Sequence, residues 1–272
     1  MSKNRKELYN PTGRLIPIQI YFPTQKGVHI PQEKIFENHA PKKWKPLEIK
    51  VFSHKKDLSF LAHGKHPLII LNHGDTVAMT DYASISEDLA SHGYIVVAIQ
   101  HQLTIDQDEP SFLKERSISR YSLVINNIFF VFEWSKKNQL ILFHDKIDLQ
   151  KLGLIGHSMG GNALLLLANR ASNILKIKDR DLLLPHNNPK SIHECIIVLD
   201  TGGFPYPHHK KFPLLLLLSE EREQYQKKTD TYAEIIKLGH QVKYYKGSKH
   251  ISFMDHGYID PPQSFKSKRT LL

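Results

Sequence analysis

Gly156-His157-Ser158-Met159-Gly160-Gly161 sets a serine between two glycines, directly after the apolar run Leu152-Gly153-Leu154-Ile155 and before Asn162-Ala163-Leu164, which opens a helical pattern. A G-x-S-x-G turn between a strand and a helix forces its serine into a sharp, strained conformation, so the hydroxyl projects above a sheet. Gly156 and Gly160 let neighbouring backbone come close without a Cβ clash. The helix that follows aims its first N–H groups at the same point, where they stabilise negative charge. The chemistry this suits is attack by Ser158 on a carbonyl carbon, with charge developing on the carbonyl oxygen.

A serine hydroxyl needs a base, and the base needs an orienting acid. In strand–turn–helix sites of this kind the chain order is serine, acid, histidine. Of the 17 histidines, His250 ends the loop Gly247-Ser248-Lys249-His250, just past the last strand expected, Gln241 to Tyr245. His256 is the runner-up, and His240 precedes that strand and so falls at the wrong end. Asp200 directly follows the apolar run Ile196 to Leu199 and is the candidate acid, with Glu220, Glu221 and Glu223 as competitors. Of the two amides needed for the oxyanion, one is expected from Met159. The other is expected from the loop Asn72-His73-Gly74-Asp75, at Asp75 or alternatively Gly74. The Asp75 side chain should then point away from the oxyanion, and His73 should serve as a structural hydrogen-bonding group.

These residues need a scaffold. Short apolar runs at 67–71, 94–99, 152–155, 196–199 and 214–218 are what strands buried on both faces of a parallel sheet look like. Helical spacing at 80–92, 117–137, 159–171 and 229–238 alternates with them, Gly93 standing in a stop position. That alternation predicts an α/β fold: a three-layer sandwich around a mostly parallel sheet. Ile16 to Phe22 and Leu47 to Phe52 read as antiparallel entry strands. The whole of 1–272 is expected to be one domain, with lid or cap segments at 102–117 and 172–191.

Composition excludes several classes. With 40% hydrophobic and 24% charged residues the chain is ordinary globular material, not disordered or fibrous. The single cysteine, Cys195, forbids an internal disulfide and reads as a buried free thiol. The net charge of +10 is spread along the chain without interleaved aromatics, so it reads as a solvated surface and no nucleic-acid groove is indicated; loose attraction to an anionic membrane surface is the alternative reading. No metal site stands out: His208-His209 lacks further ligands at metal spacing, and no glycine-rich phosphate loop suggests a cofactor. The polar start MSKNRKELYNPTGR lacks the apolar core of a signal peptide, and no apolar stretch reaches the roughly 18 residues of a membrane span. A cytoplasmic location is the default expectation, with signal-independent export as the alternative.

Several stretches together carry a family resemblance: Arg14 to Pro23, Leu89 to Ala98, Gly156 to Gly161, Val198-Leu199-Asp200 and Gly247 to Asp255. Over about residues 14–260 the chain resembles the plasma-type platelet-activating-factor acetylhydrolases and dienelactone-hydrolase-like serine esterases of the α/β-hydrolase superfamily. The resemblance implies a calcium-independent esterase acting through an acyl-enzyme on short-acyl or phospholipid-type esters. It supports Ser158, Asp200 and His250 as the triad, with Met159 and Asp75 as oxyanion donors. Serine at 158 argues against the cysteine chemistry of dienelactone hydrolases proper. A base working as neutral imidazole should make activity rise with pH between about 6 and 8. Acyl transfer to an alcohol by the same triad, and a non-catalytic binding protein on the same fold, are the rival readings.

Overall fold

Two apolar clusters, one on each face of a single sheet, explain why the short runs read as doubly buried strands. The computed structural model describes residues 2–9, 15–24, 34–35, 49–50, 54–55, 58–75, 77–101, 113–170, 195–202, 213–226 and 232–255. The strands are β1 (Ser2–Tyr9), β2 (Leu15–Phe22), β3 (Lys34–Ile35), β4 (Ile49–Lys50), β5 (His54–Lys55), β6 (His66–Asn72), β7 (Ile95–Ile99), β8 (Ile147–His157), β9 (Cys195–Leu199), β10 (Leu214–Ser219) and β11 (Gln241–Tyr245). The helices are α1 (Ala83–Ser91), α2 (Leu113–Lys137), α3 (Met159–Arg170), α4 (Glu220–Gln226) and α5 (Ala233–Lys237).

Among the described residues, nine strands form one sheet in the order β11-β10-β9-β8-β6-β7-β2-β1-β5. From β7 to β11 every pairing is parallel, and β2 joins both β7 and β1 antiparallel. Alternate residues of each inner strand go to opposite faces. Leu68, Ile70, Ile95, Val97 and Leu154 pack with Val124, Ile128 and Val131 of α2 and with Leu164 and Leu165 of α3. Ile69, Leu71, Val96, Ala98 and Ile155 pack with Ala83 and Ala90 of α1. Each leucine, isoleucine or valine so removed from water stabilises the fold by about 1.5–3 kcal/mol, and each alanine by less. This is the three-layer, mostly parallel sandwich that the alternation predicts.

The first 60 residues need correcting. The partner of β2 is not Leu47 to Phe52 but β1, Ser2–Tyr9, paired in full register from Ser2↔Phe22 to Tyr9↔Leu15. Of 47–52, only Ile49–Lys50 is strand, and it pairs with Lys34–Ile35 in a separate two-stranded sheet. The reason is burial. Near the sheet's edge, SKNRKELY contributes one buried aliphatic side chain, Leu8, so it carries no apolar run to advertise it. Helix α4 escapes a periodicity search for the same reason, because EEREQYQ is almost wholly polar. Helix α2 begins at Leu113, so residues 113–117 of the first expected lid segment belong to it. Residues 102–112 and the whole of 172–191 lie outside the described residues. Among the described residues no helix is long and apolar enough to cross a membrane.

Candidate active site

Four strands end at one place, and each candidate residue follows one of those ends. In open parallel sheets this carboxyl edge is where sites form. Ser158 follows β8, the Asn72-to-Asp75 loop continues from the last residue of β6, Asp200 follows β9, and His250 follows β11 after a turn.

Ser158 has φ of +50°, and Asp200 has φ of +41°. Apart from the adjacent pair His144 and Asp145, they are the non-glycine residues with positive φ among those described. Left-handed backbone costs about 1–2 kcal/mol per non-glycine residue, so the surrounding structure must hold it. It does: the Ser158 amide donates to the Leu199 carbonyl at 2.9 Å, and the Asp200 amide donates to the Leu217 carbonyl at 2.8 Å. The Thr201 hydroxyl donates to the Ser158 carbonyl at 3.2 Å. The elbow is also tight. A Cβ on Gly160 would lie 2.5 Å from the Asn72 carbonyl oxygen, and one on Gly156 would lie 2.6 Å from the Gly160 carbonyl. Only glycine fits at either position. Helix α3 starts at Met159 and so presents its first N–H groups beside Ser158.

His250 and Asp200 are brought together. The Nδ1–H of His250 donates to Asp200 Oδ2 at 2.6 Å. A carboxylate only accepts, so Nδ1 carries a proton and Nε2 is left as the ring atom that points away from Asp200. Asp200 is 1% exposed. Burial alone would raise its pKa, but the hydrogen bonds from His250 and from the Ser219 amide, 2.6 Å from Oδ1, bring it below the usual carboxylate value. The Arg222 guanidinium stands 3.9 Å from the same carboxylate.

The competing acids do other work. Glu220 Oε2 accepts the Gly247 amide at 2.5 Å, and Glu221 Oε2 faces the His250 amide at 3.4 Å. They hold the backbone of the His250 loop, not the imidazole. Glu223 lies on α4 with them. His240 is at the opposite end of β11, as expected, and His256, His208 and His209 lie outside the described residues.

The Asn72-to-Asp75 loop, expected to supply an oxyanion donor, is anchored residue by residue. Asn72 Nδ2 donates to the Ile155 carbonyl at 3.1 Å. His73 is 1% exposed; its Nδ1–H donates to the Gly74 carbonyl at 2.5 Å and its Nε2 accepts the His101 amide at 2.9 Å. Burial pushes His73 down to about 4, so it stays neutral and structural. The Gly74 amide donates to the Tyr82 hydroxyl at 3.0 Å, which occupies the alternative oxyanion donor. The Asp75 carboxylate pairs with Arg120 at 3.2 Å.

Asp255, five residues past His250, was not singled out by spacing. It is 2% exposed, and its two carboxylate oxygens face the Ser84 amide, at the start of α1, at 3.2 and 3.3 Å. Burial outweighs these hydrogen bonds and pushes it up to about 7. Its folded pKa therefore exceeds the unfolded value of about 4, and the stability this proton supplies is full below that value and lost as pH rises through about 7. Asp255→Asn, which cannot ionise, should gain melting temperature relative to wild type between about pH 5 and pH 8. A wild-type–mutant gap that stays flat over that interval would show that no carboxyl titrates there.

No group of three histidine, cysteine, aspartate or glutamate side chains among the described residues could hold a metal ion. Cys195 is partly buried and burial raises its thiol pKa, which fits an unreactive thiol.

Comparison with known proteins agrees with this architecture. The cutinase est2 of Thermobifida alba is 27% identical over 106 residues, 39% of this chain and 31% of the cutinase. The platelet-activating factor acetylhydrolase of Bos taurus is 30% identical over 135 residues, 36% of this chain and 30% of that protein. The matches thus span less than a third of the length of these curated relatives. A ferulic acid esterase of Streptomyces cinnamoneus superposes with a TM-score of 0.63 at 16% identity, over 97% of this chain and 81% of that one. A lipase/esterase of Lactobacillus plantarum superposes at 0.55 and 14% identity, over 92% and 91%. These likenesses establish the α/β-hydrolase fold, and the resemblance to platelet-activating-factor acetylhydrolases stands. The model of the chlorophyllase family matches residues 33–183, just over half of the chain. By the extent of that match, this α/β-hydrolase chain belongs to the chlorophyllase family.

Proposed function

We propose that the chain is a serine hydrolase of carboxylic esters working through an acyl-enzyme, with Ser158 as nucleophile, His250 as base and Asp200 as the acid that orients it. The observation that carries this is the 2.6 Å His250–Asp200 pair beside a serine held at positive φ on a strand–helix elbow. In the first half-reaction His250 Nε2 takes the Ser158 proton while Oγ bonds to the carbonyl carbon. The amides of Met159 and Asp75 hold the oxyanion. The tetrahedral adduct collapses, the C–O bond to the alcohol breaks, and His250 returns the proton to the leaving alcohol. Water, deprotonated by His250, then repeats the attack and releases the acid. No step calls for a metal or a cofactor. The substrates are read as short-acyl or phospholipid-type esters, on the resemblance to proteins named platelet-activating factor acetylhydrolase.

The test is a p-nitrophenyl ester series from acetyl to long acyl chains, followed by product analysis with added short alcohols. Rapid turnover of short esters with free acid as product supports the reading. Ester products that rise in proportion to added alcohol would move the chain to acyl transfer. Failure to turn over any ester would favour a binding protein.

A further inference from the structure

Three hydrogen bonds link the oxyanion loop to the backbone of the base without passing through any triad side chain. The Gly74 amide donates to Tyr82 Oη at 3.0 Å. The Tyr82 hydroxyl donates to His157 Nδ1 at 2.7 Å. His157 Nε2–H donates to the His250 carbonyl at 3.1 Å. The directions are fixed from the carbonyl end. A carbonyl can only accept, so His157 carries its proton on Nε2, and Nδ1 of the neutral ring must accept. The Tyr82 hydroxyl therefore donates its single proton to Nδ1 and accepts from the Gly74 amide.

The array is buried and does not change charge near neutral pH. Tyr82 is 1% exposed and His157 is 2% exposed. Burial, then the neighbouring His250, push His157 down to about 3, and burial raises the Tyr82 hydroxyl far above the ordinary phenol value. The His157 ring also lies against the His250 ring, centroids 4.5 Å apart at 33°. His250 is thus held by its carbonyl, by its ring face and by Asp200. On the other side, a Cβ on Gly74 would lie 3.1 Å from His157 Nδ1 and 3.3 Å from Ser158 Cβ, so the oxyanion loop sits directly on this histidine and the nucleophile.

We propose that Tyr82 and His157 are positioning residues, a rigid spacer that fixes the separation between the oxyanion donors and the general base on either side of Ser158. The inference rests on the ester-hydrolase reading above. Transition-state stabilisation needs both groups in place at once, and a misplacement of about 1 Å costs on the order of 100-fold in rate. Ground-state binding of a small ester needs neither group so exactly placed. The spacer therefore acts on kcat and leaves KM alone.

Five proteins test this: wild type, Tyr82→Phe, His157→Gln, His157→Leu and the double variant Tyr82→Phe/His157→Leu, assayed with p-nitrophenyl acetate and with a fluorophosphonate, each rate expressed per folded molecule from the melting curve. Tyr82→Phe keeps the ring and removes the hydroxyl; kcat should fall by roughly 10- to 100-fold with KM within about twofold, and fluorophosphonate labelling should slow in proportion. His157→Gln keeps one acceptor and one donor, so it should exceed His157→Leu in kcat by about fivefold, the worth of one retained hydrogen bond. The double variant Tyr82→Phe/His157→Leu should be no worse than the poorer single variant, since both break one array. Wild-type kcat in Tyr82→Phe overturns the inference while leaving the esterase reading intact. So does equal kcat in His157→Gln and His157→Leu, which decides the matter if Tyr82→Phe does not fold. Wild type inert toward both reagents would instead overturn the esterase reading itself.

Discussion

Ser158→Ala should lower kcat for p-nitrophenyl acetate by roughly 10⁴- to 10⁶-fold and abolish covalent labelling by a fluorophosphonate. The size of the effect follows from the mechanism. Without Oγ there is no acyl-enzyme, and what remains is whatever the oxyanion amides and binding give to attack by water. Stability should change little, because the contacts that hold the elbow are backbone ones: the Ser158 amide to Leu199 and the Ser158 carbonyl to Thr201 and to the Asn162 amide. Alanine meets the same left-handed backbone as serine, so no new strain is introduced at φ +50°. The measurement is a steady-state assay beside a melting curve. A variant that melts like wild type and still hydrolyses the ester within about tenfold of it would remove Ser158 from the chemistry.

The second large effect is expected at Asp200. Asp200→Asn should lower kcat by about 10⁴-fold, while Glu221→Gln should cost less than about tenfold. The asparagine side chain could turn its amide N–H toward Nδ1 of His250, which then has to accept. The ring proton would move to Nε2, the atom that must receive the serine proton. Glu221 only faces the His250 amide, at 3.4 Å, and a glutamine oxygen can still accept there. The hydrogen bonds that bring Asp200 below the usual carboxylate value keep it ionised at neutral pH, so its own titration should not shape the profile there. Kinetics of the two variants, with wild type alongside, check the assignment. Losses of equal size would mean that the hold on the loop backbone matters as much as the hold on the ring.

Much of this molecule is written locally in the chain. The elbow is six consecutive residues, and its glycines are demanded by contacts that any strand–helix turn of this kind makes. The inner strands show as apolar runs because each is buried on both faces, so nearly every residue along Leu68 to Leu71 or Ile95 to Ile99 had to be apolar. Chain order and strand ends then narrowed 17 histidines to His250, with His256 as runner-up, and the acids to Asp200 with rivals. Strand β1 was not legible because a position next to the sheet's short edge strand needs few apolar side chains, and α4 was not because its contacts to the site run through carboxylates.

Other features depend on where side chains point once distant segments meet, and only the tertiary structure decides them. Asp200 and Glu221 both lie near His250, yet one bonds the ring and the other the backbone amide. Gly74 and Asp75 are neighbours, and it is Tyr82, eight residues on, that takes the Gly74 amide. His157 sits inside the motif that the sequence displays most plainly, but its partners lie 75 residues before it and 93 after it. Backbone spacing encodes an elbow. The direction of a hydrogen bond between residues so far apart in the chain exists only after the sheet has brought their loops to one edge.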